Sequence, residues 1–230
     1  MAAPSDAVDR LIAKVKNNLG RTNDTVVTDY TIVWINEAQK EVCNRANFWF
    51  MHTETTLSFA QSDTEKALPS NFKDEDAVWI LETTPDGFTE LEPMSIEDHR
   101  RYYDDTVEAK PSHWRIDASN NLILRPVPDD SYTVQIDYWA YLTDLTDPGA
   151  SATNELVDGF PDILETGATY RGLRRLGELE DAIAWRTEFD RLIQDLKVEN
   201  AERILPDEFV LRVRPDALGT TIQRPKGRLR

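Results

Sequence analysis

The stretch Phe160–Arg203, FPDILETGATYRGLRRLGELEDAIAWRTEFDRLIQDLKVENAER, decides the fold. In its second half Ala182, Trp185, Phe189, Leu192, Ile193 and Leu196 recur at helical spacing and form one apolar stripe. The first half carries Phe160, Ile163, Leu164, Ala168 and Leu176, with Gly167 and Gly172 inside it. The spacing predicts two helices meeting near Gly177. An interior glycine costs about 1 kcal/mol against alanine. Two of them imply that something packs close to this helix backbone.

Working outward, Val8, Leu11, Ile12, Val15 and Leu19 predict a helix opened by Ser5 and closed by Gly20. A second helix is predicted from Asp29 to about Ala46, capped by Thr28, with Trp34, Ile35, Ala38, Val42 and Ala46 on one face. From Met51 to Phe59 the period changes to two, the signature of a strand. Gln61–Asp76 reads as a loop. Strands follow at 77–82, 89–92, 113–117, 122–127 and 132–142, with a short helix from Ile96 after Ser95. Turn residues fill the gaps, including Pro85-Asp86-Gly87, Ser119-Asn120-Asn121 and Pro128-Asp129-Asp130, and predict an antiparallel meander. Thr143–Thr153 has linker composition. The expected fold class is α+β: helices from both ends form one domain (1–50 and 153–204), a β-rich insertion occupies 51–152, and an extended arm fills 205–230.

The chain has 230 residues, 40% hydrophobic and 30% charged, a globular balance. Its longest purely apolar run is Ala77–Leu81, too short for a membrane span. MAAPSDAVDR has neither the basic start nor the apolar segment of a secretory signal. Cys43 is the single cysteine, which excludes an internal disulfide and fits a reducing environment. The net charge is −16; from Phe209 onward six basic residues face one acid, so the preceding residues carry −21. An acidic body repels nucleic acid. The tail holds Arg212, Arg214, Arg224, Lys226, Arg228 and Arg230, interleaved with the apolar Leu211, Val213, Leu218, Ile222 and Leu229. Two readings stand: a disordered, solubilising terminus, or an arm that orders on a protein partner, since a nucleic-acid arm needs no apolar anchors.

Support for an enzyme is thin. His52, His99 and His113 stand far apart, and neither HExxH, GxSxG nor a P-loop occurs. Neither cofactor nor metal is expected. The carboxylate pairs Asp104-Asp105 and Asp129-Asp130 fall in turns, and Asp144/Asp147 lacks EF-hand spacing. Most of the six tryptophans fall on apolar faces. Trp139 shares a strand face with Gln135 and Asp137 and points to an interface.

Three runs carry a resemblance. His113-Trp114-Arg115-Ile116-Asp117 leads into Asn121–Asp129 (NLILRPVPD) and Tyr132–Tyr138 (YTVQIDY). Phe160–Ala168 (FPDILETGA) follows, and Trp34–Glu41 (WINEAQKE) precedes. In order and spacing, from about Val8 to Ile204, they resemble the head-to-tail adaptor (connector) proteins of tailed phages, in particular the tail tubular protein A type of short-tailed phages. The resemblance implies a structural virion protein at the head–tail junction, made in the host cytoplasm. It implies a homo-oligomeric ring, typically of twelve copies, docked beneath the portal protein and offering a platform to a tail or nozzle protein, while DNA passes through without specific binding. The arm, from Leu211 and Arg212 to Arg230, would reach the portal. Gly167 and Gly172 become candidates for subunit contact, and Glu178, Glu180, Asp181, Glu188 and Asp190 candidates for the channel lining. Competing readings are another neck or tail-completion protein, a protein- or carbohydrate-binding module, and a hydrolase built on the loop carboxylates.

Overall fold

The computed structural model describes residues 7–83, 86–102, 107–146 and 154–204. The expected cap Ser5, the turn tip at Pro85, most of the 143–153 linker and the whole arm lie outside them.

Helix α1 (Ala7–Asn18) buries Val8, Leu11, Ile12 and Val15, and Gly20 follows it in the left-handed region at φ 62°. Helix α2 (Thr25–Arg45) starts a turn earlier than the sequence predicts. Its N-cap is Asp24, whose carboxylate accepts from the backbone N–H of Val26 (2.8 Å) and Val27 (3.4 Å). Thr28 lies inside the helix and donates its own N–H to the Asp24 carbonyl. A carboxylate at the N-cap also meets the positive end of the helix dipole. A short 3-10 turn, Trp49–Met51, leads to strand β1 (His52–Phe59).

The stretch read as a loop at 61–76 contains β2 (Glu65–Ala67) and the first five residues of β3 (Phe72–Thr83). Then come β4 (Asp86–Glu90), β5 (Glu92–Pro93), α3 (Ile96–Tyr102), β6 (His113–Ile116), β7 (Asn121–Arg125) and β8 (Tyr132–Ala140). The strands do not form a meander. One sheet has the order β1-β8-β3-β4 and the other β2-β7-β6-β5, with β5 and β6 parallel. Among the described residues, consecutive strands form hairpins at β3–β4 and β6–β7. Strand β8 inserts between β1 and β3, so the pairing is set by contacts across most of the β region.

The chain returns through α4 (Glu155–Gly159), absent from the sequence reading, which is capped by the Asn154 side chain. Helix α5 (Pro161–Leu176) and helix α6 (Leu179–Ile204) meet at Gly177, a left-handed C-cap at φ 85°, as the sequence predicts. Buried apolar residues gather in two clusters. One joins α1, α2, α4, α5 and α6, including Leu11, Trp34, Ile35, Leu164, Phe189 and Ile193. The other fills the space between the two sheets, with Val78, Ile80, Trp114, Leu124, Val134 and Ile136.

Polar side chains of α2 tie the two regions together. Asn36 exchanges hydrogen bonds with both backbone groups of Leu145 (2.8 and 2.9 Å). Gln39, fully buried, donates to the Thr143 carbonyl (2.9 Å) and accepts from Asn154 (2.7 Å). From β3, the Lys73 ammonium donates to the Cys43 and Ala46 carbonyls and to the Asn47 side chain, at 2.5, 2.8 and 2.7 Å. A cation on the last carbonyls of α2 satisfies groups that a helix end leaves open.

Candidate functional site

Helices α2, α5 and α6 pack so that their outer faces leave a groove of about 720 Å³. Helix α2 contributes Tyr30, Val33, Trp34, Glu37 and Glu41, α5 contributes Tyr170, Arg171, Arg174 and Arg175, and α6 contributes Arg186. An apolar depression of about 340 Å³ shares Tyr170, Arg174 and Arg186 with it and extends to Leu179, Ala182 and Ile183. Exposed apolar side chains rim this face: Ile183 is 67% accessible, Leu179 60% and Tyr30 44%.

One carboxylate organises the floor. Glu41 Oε1 accepts from Arg45 (2.7 Å) and pairs with Arg186 (2.8 Å), while Oε2 accepts from Arg171. Asp190 extends the cluster to Arg186 (3.0 Å) and Arg45 (3.2 Å). Burial pushes the Glu41 carboxyl up, but the hydrogen bonds from Arg45 and Arg186 and the Arg171 charge outweigh it and hold it below the usual carboxylate range. The Arg171 and Arg186 guanidinium groups also stand 5.2–5.7 Å from the ring centres of Tyr170 and Phe189. Two arginines are thus matched by acids. Arg174 and Arg175 are exposed and form no ion pair among the described residues. Four arginines against two glutamates make this groove basic in a chain of net charge −16.

The close approach read from the glycines is real but lies within one protomer. A Cβ on Gly167 would meet Phe189 and Ala38, and one on Gly172 would meet Leu19 and Trp34. Both glycines are buried, and the neighbours that approach them belong to the same chain. The five acids named as channel lining do not share a face. Glu180, Asp181 and Glu188 are exposed, with Glu188 paired to Arg191 (2.6 Å). Glu178 binds Arg21 (2.9 Å). On a helix advancing about 100° per residue, Asp190 lies opposite Asp181, inside the arginine cluster.

The arm residues Leu211, Arg212, Val213, Arg214, Leu218, Ile222, Arg224, Lys226, Arg228 and Arg230 lie outside the described residues. Trp139 is half-buried against the helical cluster, 5.0 Å from the His52 ring, so the interface it marks belongs to the same chain. The three histidines stay apart: His52 meets Asp76 (3.1 Å), His113 meets Ser112 (2.8 Å) and His99 meets the buried Arg125 (2.7 Å). Asp129 accepts from the Tyr132 hydroxyl (2.7 Å), and Asp144 pairs with Lys40 (2.9 Å). Among the described residues, no group of three or more His, Cys, Asp or Glu is placed to hold a metal ion, and no helix is long and apolar enough to cross a membrane.

The groove gave a weak sequence signal. Arg171, Arg174 and Arg175 stand in the run YRGLRR, on the polar side of α5, and their partners come from more than a hundred residues away. Among curated proteins none matches this chain. Residues 7–213 match the model of the SU10 adaptor proteins, structural adaptors of phages rather than enzymes, and the chain belongs to that family.

Proposed function

We propose that the protein is the ring-forming head-to-tail adaptor of its virion. Copies, twelve by analogy with the connectors it resembles, dock beneath the portal protein, extend the DNA channel and present a platform to tail proteins. The observation that carries this reading is the family match across nearly the whole chain. Three features support it. The residues before Phe209 carry −21, which lowers the attraction of a channel wall for DNA. Separate helical and β clusters suit a division into a helical unit, 1–50 with 153–204, and an insertion, 51–152, with each free to meet a different neighbour. Basic and apolar residues are mixed from Phe209 to Arg230, the composition of an arm that orders on a partner. Within the ring, Glu180, Asp181 and Glu188 are the exposed acids proposed for the channel side.

The test mixes purified protein with its portal and images the product by electron microscopy. A ring seated on the portal vertex is expected; portal particles left bare at high adaptor concentration overturn the reading.

A further inference from the structure

We propose that the arginine-rimmed groove between α2, α5 and α6 is the seat of the acidic, apolar segment Leu205–Leu211 of a second copy of this chain. That segment reads LPDEFVL and directly follows α6.

The groove states what it accepts. Arg174 and Arg175 are exposed cations without a carboxylate among the described residues, and Ile183 and Leu179 stand exposed beside them. An occupant with two carboxylates next to bulky apolar side chains matches both properties. Asp207 and Glu208, followed by Phe209, Val210 and Leu211, supply that pattern. The basic remainder of the arm, from Arg212 on, has the wrong sign for this surface. Duplex DNA fits poorly, because Arg171 and Arg186 are already neutralised by Glu41 and Asp190 and, among the described residues, two groove cations are left without an acid.

Reach decides between the same chain and a neighbour. The end of α6 is held far from the groove, with Asn200 accepting from the Trp49 N–H (2.8 Å) and donating to the Asn47 carbonyl (3.0 Å). From Arg186 to Ile204 the helix runs about 27 Å at its rise per residue. Phe209, five residues further on, extends at most about 18 Å. The segment therefore falls short of its own groove and fills that of an adjacent copy. The same contact repeated from copy to copy is head-to-tail, the geometry that closes a ring. The proposal rests on the ring reading for its biological setting, yet its test needs no portal, so either can fail alone.

A fluorescein-labelled LPDEFVL peptide is titrated into the full-length protein and followed by anisotropy. Saturable binding is expected, weakened at least about tenfold by Arg174→Glu with Arg175→Glu, by Ile183→Asp, and by raising salt from about 50 to about 500 mM. All three substitutions are at exposed positions, and unchanged thermal unfolding shows that the variants are folded. Equal binding by the wild type and the double-arginine variant, or by a scrambled peptide, overturns the proposal. So does an arginine-dependent affinity for a duplex oligonucleotide with none for the peptide. As a second readout, full-length Ile183→Cys is mixed with full-length Phe209→Cys under mild oxidation. A mixed dimer is expected, with Cys43 buried and silent. Absence of that dimer, or an internal disulfide in the doubly substituted single chain, overturns it.

Discussion

A Cβ on Gly167 would stand 2.6 Å from Cε2 of Phe189, well inside the contact distance of two carbon atoms. The same atom would lie 2.8 Å from the Ala38 Cβ, so the ring cannot simply swing away toward α2. Gly167→Ala is expected to destabilise the fold by about 1–3 kcal/mol despite the better helix propensity of alanine. At Gly172 the nearest atoms are the methyl ends of Leu19, 2.8 and 2.9 Å away, which can move. Gly172→Ala should therefore fall within about 1 kcal/mol of wild type. Denaturant unfolding of both variants checks the contrast.

Glu41 holds three arginines, so Glu41→Gln should cost about 1–2 kcal/mol, moderated because the cluster is partly solvated. The pH dependence follows from the depressed carboxyl. Its unfolded value is near 4.5 and its folded value lies lower, so the stabilisation is complete above about 4.5 and is lost as pH falls through the folded value. Unfolding followed between neutral and acid pH should show the gap between wild type and Glu41→Gln closing below that point. A gap constant with pH would refute the assignment.

Removing the Lys73 ammonium leaves the Cys43 and Ala46 carbonyls at the end of α2 without a donor. Lys73→Met is expected to cost about 1–2 kcal/mol. Amide exchange should show the loss first in the last turn of α2 and at the start of β3.

Asp24→Ala should destabilise α2 by about 1 kcal/mol, while Thr28→Ala changes stability little. Thermal unfolding of the pair distinguishes the observed cap from the one the sequence favours.

Ending the chain at Glu208 should leave its unfolding midpoint unchanged and abolish docking on the portal. Ending it at Leu211 keeps the segment proposed for the neighbour's groove and removes only the basic arm. Both truncations should fail in portal pull-down, and only the chain ending at Leu211, carrying Phe209→Cys, should still cross-link to Ile183→Cys, which separates the two contacts.

What could be read from the sequence was what is local. The α5–α6 pair was legible because apolar residues recur at helical period and Gly177 interrupts them. The cap of α2 was misplaced because Asp24 and Thr28 are both good N-caps, and the choice between them falls to the packing of Val27, buried in the helical cluster. The first half of β3 is not legible because Lys73, Asp74, Glu75 and Asp76 look like loop; Asp74 and Glu75 pair with β8, while Lys73 and Asp76 fall at its register shifts. Sheet order and the arginine groove are both products of residues far apart in the chain, and local pattern carries no record of which distant segments meet.

The split of the helical cluster across the chain has a consequence during synthesis. Trp34, Ile35 and Val42 of α2 await Leu164, Ala168 and Phe189, which leave the ribosome more than a hundred residues later. At roughly 5–20 residues per second, that is an interval of roughly 6–25 s in which an apolar stripe on the nascent chain is uncovered. The β region is complete well before it ends. Newly made α1–α2 therefore keeps its apolar stripe open to solvent until α5 and α6 arrive to cover it.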